Sequence, residues 1–377
     1  MKHCVHADKC GACEYIHVPY EEQLKTKQQY VSDLFAGIPV SETIGMKDPY
    51  HYRHKIYASF YCDRKGKIRA GLYQENSHRH IDSMMCLIQN KEANEILREI
   101  CTLAESMKIP VYDEKRGTGV LRHAYLRVSE ATGEILLVIV IGSRSLPSSR
   151  NLVKALTQKF PKIRSVVLNY NHEYTSMVLG NKEDILYGKG YITDSIGGIT
   201  FRISSKSFYQ VNPLQTEVLY RTALDLAQLK KTDIVLDACC GIGTITLLAA
   251  KECAFAYGVE INPRAIQDAK ENALHNGIGN VSFRADDAGK YIRSMKQKPD
   301  VIIMDPPRSG MSEEFLSCAA SMQPDRMVYI SCNPETQARD CRYLRQKGYR
   351  VSRIIPVDNF PFTKHIETIV LLQKLNS

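Results

Sequence analysis

No stretch of this 377-residue chain stays apolar for long. The longest run, Ile135–Ile141, has seven residues, whereas a helix crossing a bilayer needs roughly 20. The opening MKHCVHADKC lacks the apolar core of a secretory signal. A membrane partner and an export route are therefore set aside, and a cytoplasmic protein is expected. Internal repeats and low-complexity segments are missing too, which excludes solenoid and collagen-like architectures. With 44% apolar and 24% charged residues, the chain has the composition of a folded globular protein rather than a disordered one. At about 150 residues per domain, two or three domains are expected, with enough chain to bury a core unaided.

Two things are present in excess. Lys and Arg total 50 against 41 Asp and Glu, a surplus that favours a polyanionic partner without assigning one. There are also twelve cysteines. Without an export signal they argue against a disulfide framework, and they are unevenly spread. Cys4, Cys10 and Cys13 crowd one end, and Cys239 and Cys240 are adjacent. Thiolates grouped this way are soft ligands for zinc or an iron–sulfur centre, with free thiols as the remaining reading.

Along the chain, the spacing predicts three segments. Residues 1–40 combine the cysteine cluster with a polar helix at about 20–35. Residues 41–198 read as a small α+β domain: a hairpin of 121–129 and 134–141 around the turn Ala131-Thr132-Gly133, a helix at 151–160, and a strand at 163–168. Residues 199–377 alternate strands with helices, which predicts a doubly wound, mostly parallel α/β sheet. In such sheets ligands bind where strands end. Here the strand ends carry Asp237, Glu260, the pair Asp286 and Asp287, Asp305-Pro306-Pro307-Arg308, and Ser331-Cys332-Asn333-Pro334.

The loop from Asp237 to Gly243 reads as a ligand loop, because Gly241 and Gly243 let backbone approach a ligand closely. A dinucleotide fingerprint would place glycine or alanine at Thr246, so pyrophosphate binding is disfavoured. Glu260 suits ribose hydroxyls. By itself the glycine pair is an ordinary strand-to-helix turn. With Glu260 and Asp305 at neighbouring strand ends, S-adenosylmethionine fits better than a nicotinamide cofactor. The prolines after Asp305 hold the chain extended. Arg308 stands where methyltransferases acting on exocyclic amines carry an aromatic ring, which disfavours that chemistry.

Cys332 follows a strand and precedes a predicted helix N-terminus, a setting expected to favour the thiolate. A thiolate matters for uracil, whose carbon 5 is too weak a nucleophile to take a methyl from a sulfonium. Thiolate addition at carbon 6 gives carbon 5 carbanion character. A base must then remove the carbon 5 proton so that the thiolate can leave. Glu367, before the last strand, is the first choice; His365 competes with it. Taken singly, Glu367 also reads as a surface carboxylate at a strand start, His365 as a group that positions the glutamate, and Cys332 as a buried structural cysteine.

Together these residues resemble the RNA uracil-C5 methyltransferases, which make 5-methyluridine in ribosomal and transfer RNA. The resemblance covers nearly the whole chain. It rests on Ser331-Cys332-Asn333-Pro334, Asp305-Pro306-Pro307-Arg308, Phe208-Tyr209-Gln210-Val211-Asn212 and His365-Ile366-Glu367 in that combination. It implies a class I S-adenosyl-L-methionine-dependent methyltransferase domain (199–377), preceded by an α+β RNA-binding central domain (41–198) and an iron–sulfur segment (1–40). It implies Cys332 as nucleophile and Glu367 as base. Cofactor contacts fall at Gln210, Cys239, Glu260 and Asp305, although a cysteine at 239 replaces the family's common aromatic. Cys4, Cys10, Cys13 and Cys86 match the ligand set of a 4Fe-4S cluster, with Cys62 and Cys101 as rival fourth ligands.

An N-terminal RNA-binding barrel carried by many relatives has no room before Cys4. That matches the shorter ribosomal enzymes, so a 23S ribosomal RNA loop uridine is the expected substrate and a transfer RNA T-loop uridine the alternative. His51-Tyr52-Arg53-His54-Lys55 and His78-Arg79-His80 are candidate RNA contacts. No obligate protein partner is expected, and a monomer is compatible with this reading. Outside this class stand an iron–sulfur redox protein and a non-catalytic RNA-binding protein.

Overall fold

The computed structural model describes residues 3–75, 77, 79–175, 177–207 and 209–375. Among these residues no helix is long and apolar enough to cross a membrane. The chain divides into two compact units. One is Met1–His17, Pro49–Ser195 and Arg202–Pro213; the other is Val18–Asp48, Ile196–Phe201 and Leu214–Ser377. This differs from three consecutive segments in one main respect. The helix Tyr20–Leu34, expected beside the cysteine cluster, belongs to the second unit. Its Val31 joins that unit's core, as does Phe35 just beyond it, each such burial contributing about 1.5–3 kcal/mol.

The first unit is built on a seven-stranded sheet. Its strand order is His80–Asp82, Ile68–Tyr73, Lys55–Cys62, Leu121–Val128, Ile135–Ile141, Ile163–Tyr170, Lys182–Gly188. The expected hairpin is present, Leu121–Val128 pairing antiparallel with Ile135–Ile141. The single parallel pair, Ile135–Ile141 with Ile163–Tyr170, is bridged by the helix Ser149–Lys159, as a parallel connection requires. Ile56, Ala58 and Phe60 alternate into one core with Ile96, Leu97 and Ile100 of the helix Lys91–Ser106. That helix starts on Asn90, whose side chain accepts the N–H groups of Glu92 and Ala93.

The second unit has the expected doubly wound sheet, in the order Val281–Ala285, Phe255–Glu260, Ile234–Ala238, Val301–Met304, Arg326–Ser331, Glu367–Lys374, Tyr349–Val357. The first five strands are parallel. The last two run antiparallel to their neighbours, a reversal not anticipated from strand–helix alternation. The helix Pro263–His275 carries Pro263 in its first turn, and the Asn262 side chain accepts the Arg264 N–H at its start. Leu236, Val259, Ile302, Met304, Met327 and Tyr329 form the buried spine of this sheet.

Candidate active site

Strand register assembles the site. Ala238 stands opposite Val259 and Met304 in parallel pairs. The next residues along each strand are therefore Cys239, Glu260 and Asp305, side by side at the carboxyl edge. The Asp305 N–H reaches the Ala238 carbonyl (3.4 Å), and the Cys240 N–H reaches that of Val259 (2.9 Å). On the antiparallel side, Ser331 stands opposite Thr368. One step beyond that pair, Cys332 leaves its strand where Glu367 enters its own. Residues far apart in sequence thus converge because one strand ends where its antiparallel neighbour begins.

The loop beside Glu260 is shaped for close approach. Cys239 (φ 68°), Gly241 (φ 54°) and Gly243 (φ 83°) all sit in the left-handed region. A Cβ on Gly241 would meet nothing within 4 Å, so open space faces that position. Glu260 accepts the Gly241 N–H (3.3 Å) and the Asn262 N–H (2.9 Å). Thr246, the residue that breaks the dinucleotide fingerprint, donates to Asp237 Oδ2 at 2.6 Å. Asp237 Oδ1 is buried and has no hydrogen-bond partner. Burial pushes Asp237 up to about 7, Thr246 opposing and Asp305 adding; burial likewise pushes Asp305 up to about 7. Burial and the Glu260 charge raise Cys239 to about 12. An open, acid-lined cradle of backbone and carboxylates fits a positively charged sulfonium cofactor with ribose hydroxyls. Gln210 lies in the first unit; Phe208 of the same motif is outside the described residues.

Around Cys332, burial raises the thiol above its ordinary value, Glu367 adds to this, and Arg308 opposes it through its charge and a hydrogen bond. The helix Pro334–Gln346 starts two residues beyond Cys332, and the direction of the shift is opposite to the one expected from a helix N-terminus alone. Glu367 is 4% exposed. Burial raises its carboxyl well above the usual range, Asp305 raises it further, and Arg308 lowers it. Arg308 Nη2 also lies 3.2 Å from His365 Nδ1. The Arg308 carbonyl accepts from Asn333 Nδ2 (2.9 Å) and Thr336 Oγ1 (3.2 Å). These bonds tie the Asp-Pro-Pro-Arg segment to the cysteine segment. Sequence reasoning used Arg308 only to exclude another chemistry. Its position as fourth residue of that motif was the available signal for its role beside the cysteine.

The four cysteines of the proposed cluster come together within the first unit. Burial pushes Cys13 up to about 12, and Cys86, Cys10 and Cys4 each add to the shift. Of the rival fourth ligands, Cys62 is exposed and Cys101 is buried with its sulfur 3.9 Å from that of Met84. The set fits a soft metal centre by donor chemistry. It does not fit by geometry: among the described residues, no group of three or more His, Cys, Asp or Glu stands in metal-holding arrangement.

The candidate RNA contacts fare unevenly. Tyr52 and His54 are buried, His54 lying 3.3 Å from Glu130, and His51 Nδ1 is 2.8 Å from the Gln89 carbonyl. That stretch is largely internal, not a solvated basic face. His78 lies outside the described residues.

The sequence pattern of the tRNA (uracil-5-)-methyltransferase family matches residues 19–375. The chain belongs to this family. An RNA methyltransferase of Halalkalibacterium halodurans is 43% identical over 99% of this chain and 83% of its own length. One from Oceanobacillus iheyensis is 42% identical over 96% and 81%. Among solved structures, the tRNA (uracil-54, C5)-methyltransferase of Pyrococcus abyssi, in complex with S-adenosyl-L-homocysteine, superposes with a TM-score of 0.80 at 26% identity, covering 96% of this chain and 86% of that one. The chain is thus an RNA methyltransferase of the S-adenosylmethionine-dependent uracil-5 class.

Proposed function

We propose that the chain methylates carbon 5 of a loop uridine through a covalent Cys332–uracil adduct. The observation that carries this reading is the antiparallel register putting Cys332 and Glu367 at one strand end beside Asp305 and Arg308. S-adenosylmethionine, held by Cys239, Glu260 and Asp305, supplies the methyl group when bound. The Cys332 thiol gives its proton to solvent, and Arg308 stabilises the thiolate as it adds to carbon 6; the carbon 5–carbon 6 electron pair moves to carbon 5, which takes the methyl as the sulfonium–methyl bond breaks and leaves a neutral thioether. Glu367, after losing its own proton to solvent with the Arg308 charge favouring that loss, removes the carbon 5 proton. The carbon 5–carbon 6 double bond re-forms and the Cys332 thiolate leaves. The proton ends on Glu367, whose buried setting favours the protonated form. His365, held against Arg308, positions the guanidinium.

A 23S ribosomal RNA loop uridine is one proposed acceptor. The transfer RNA T-loop is supported equally, by the family description and by the Pyrococcus enzyme. Nucleoside mass spectrometry of both RNAs, from cells with and without the gene, decides between them. Loss of 5-methyluridine from one ribosomal position supports the first; loss from transfer RNA supports the second. Unchanged 5-methyluridine in both overturns the reading.

Cys4, Cys10, Cys13 and Cys86, whose thiols influence one another without standing in a metal-holding arrangement, are proposed to close around a 4Fe-4S cluster with a structural or RNA-positioning role, since methyl transfer needs no electron. Iron and sulfide analysis after anaerobic purification tests this. About four of each per chain supports the cluster, and zinc or neither overturns it.

A further inference from the structure

Away from the methyl-transfer residues, the first unit holds a cavity of about 450 Å3. Strand alternation sends Ile56, Ala58 and Phe60 into the core under the helices, so Ser59 and Tyr61 face the other way, into this cavity. Its walls include Tyr61, Tyr73, His80, Tyr112, His123 and Tyr174. His80 stacks on Tyr61 with ring centroids 4.5 Å apart and planes within 10°, and meets Tyr73 at 4.5 Å. His80 Nε2 is buried and has no hydrogen-bond partner among the described residues. A buried, unpaired ring nitrogen is costly unless something arrives to satisfy it.

Charge around the cavity is balanced. Asp113 and Glu114 oppose Lys115 and Arg122, and burial holds both histidines neutral, His123 down at about 3 and His80 below its ordinary value. Arg122 is committed locally: it pairs with Glu114 at 3.1 Å and donates to the carbonyls of Asn171 (2.8 Å) and Glu173 (2.9 Å). Those two bonds pin the segment that presents Tyr174, a ring 87% exposed at the rim. A phosphate finds no net positive charge here. A flat, uncharged heterocycle finds stacking faces and a ring nitrogen awaiting a hydrogen bond.

We infer that this cavity takes an unpaired nucleobase of the RNA, a second base besides the uridine that is methylated. The inference rests on the proposed RNA substrate and adds a recognition point to it. Stacking on aromatic side chains is sequence-tolerant, whereas the hydrogen bond to His80 selects among bases by their edge.

The test is fluorescence anisotropy with labelled ribodecamers of each base and an abasic decamer. Wild type is compared with Tyr174→Ala and His80→Ala, each also carrying Cys332→Ala. The expected result is about tenfold weaker binding to at least one base-bearing decamer and an unchanged abasic affinity. Equal loss on the abasic decamer would make the contact one with backbone and overturn the inference. Tyr174→Ala removes an exposed ring, so its folding is not at issue. Photocrosslinking of a 5-bromouridine-containing decamer to the full chain gives a second readout, with adducts expected on peptides bearing Tyr61 or Tyr174. No loss of affinity and no such adduct would sink the proposal, as would binding of free nucleosides but not of decamers. Base-dependent binding without methylation overturns the proposed chemistry alone; methylation without base-dependent binding overturns the cavity alone.

Discussion

Lys27→Met probes how the helix Tyr20–Leu34 supports the segment leading into Glu367. Lys27 Nζ lies 2.7 Å from Asp358 Oδ1 and donates to the Phe360 carbonyl at 3.1 Å, and both charged side chains are buried. The same helix accepts the Phe362 N–H on Gln23 Oε1 at 3.0 Å. Asp358 Oδ2 is buried without a hydrogen-bond partner among the described residues, so Lys27 carries the charge compensation at this carboxylate. Removing the ammonium leaves a buried, unpaired charge, a change that costs about 3–5 kcal/mol. At about 2–4 °C per kcal/mol for a unit of this size, its melting temperature should fall by about 6–20 °C. Scanning calorimetry of the full chain reads this directly. Lys27→Met combined with Asp358→Leu should recover most of the loss, because an apolar pair replaces the ion pair. A single variant melting within about 2 °C of wild type would refute the reasoning, as would a double variant no more stable than the single one.

Cys332→Ala should abolish both the RNA adduct and the product, read by denaturing gel and nucleoside analysis. Glu367→Gln should still form the adduct but release it about 10²–10⁴-fold more slowly, so a protein–RNA adduct accumulates; normal turnover would transfer the base role to His365. Asp305 titrates near 7 when folded against 3.8 ordinarily. Between those values the folded state holds a proton that the unfolded state has lost, so this group's contribution to stability falls as pH rises. Asp305→Asn should therefore gain on wild type by about 4 kcal/mol from pH 4 to above 7, measured by urea unfolding; a gap independent of pH would contradict this. Gly241→Ala should cost only about 1–2 kcal/mol of left-handed strain, since its Cβ meets open space. It should nevertheless weaken S-adenosylmethionine binding in calorimetric titration, and unchanged affinity would remove this loop from the cofactor cradle.

Much of the second unit was legible because its signals are local. Strand–helix alternation, Pro263 at a helix start and polar residues at strand ends each depend on a few neighbouring residues. The same holds for the hairpin around Ala131-Thr132-Gly133. Family motifs added what local pattern could not, including the joint reading of Cys332 with Glu367. The antiparallel ending of the sheet was missed, since a strand's direction is set by its crossover and not by its composition.

The sequence by itself determined the residue types the chemistry needs and the order in which they occur. Only tertiary structure decided their charge state and company. The Cys332 setting was expected to favour the thiolate, yet burial first, and then Glu367 and Asp305 from separate strand ends, push the thiol the other way. The helix Tyr20–Leu34, expected with the cysteine segment, belongs to the second unit, where its partner Asp358 lies 331 residues away. The basic stretch His51–Lys55 turned inward, and His80 became the centre of a ring stack, for the same reason. Periodicity and capping act over one or two turns of chain, whereas desolvation and Coulomb interaction act through space among residues that only the fold brings together.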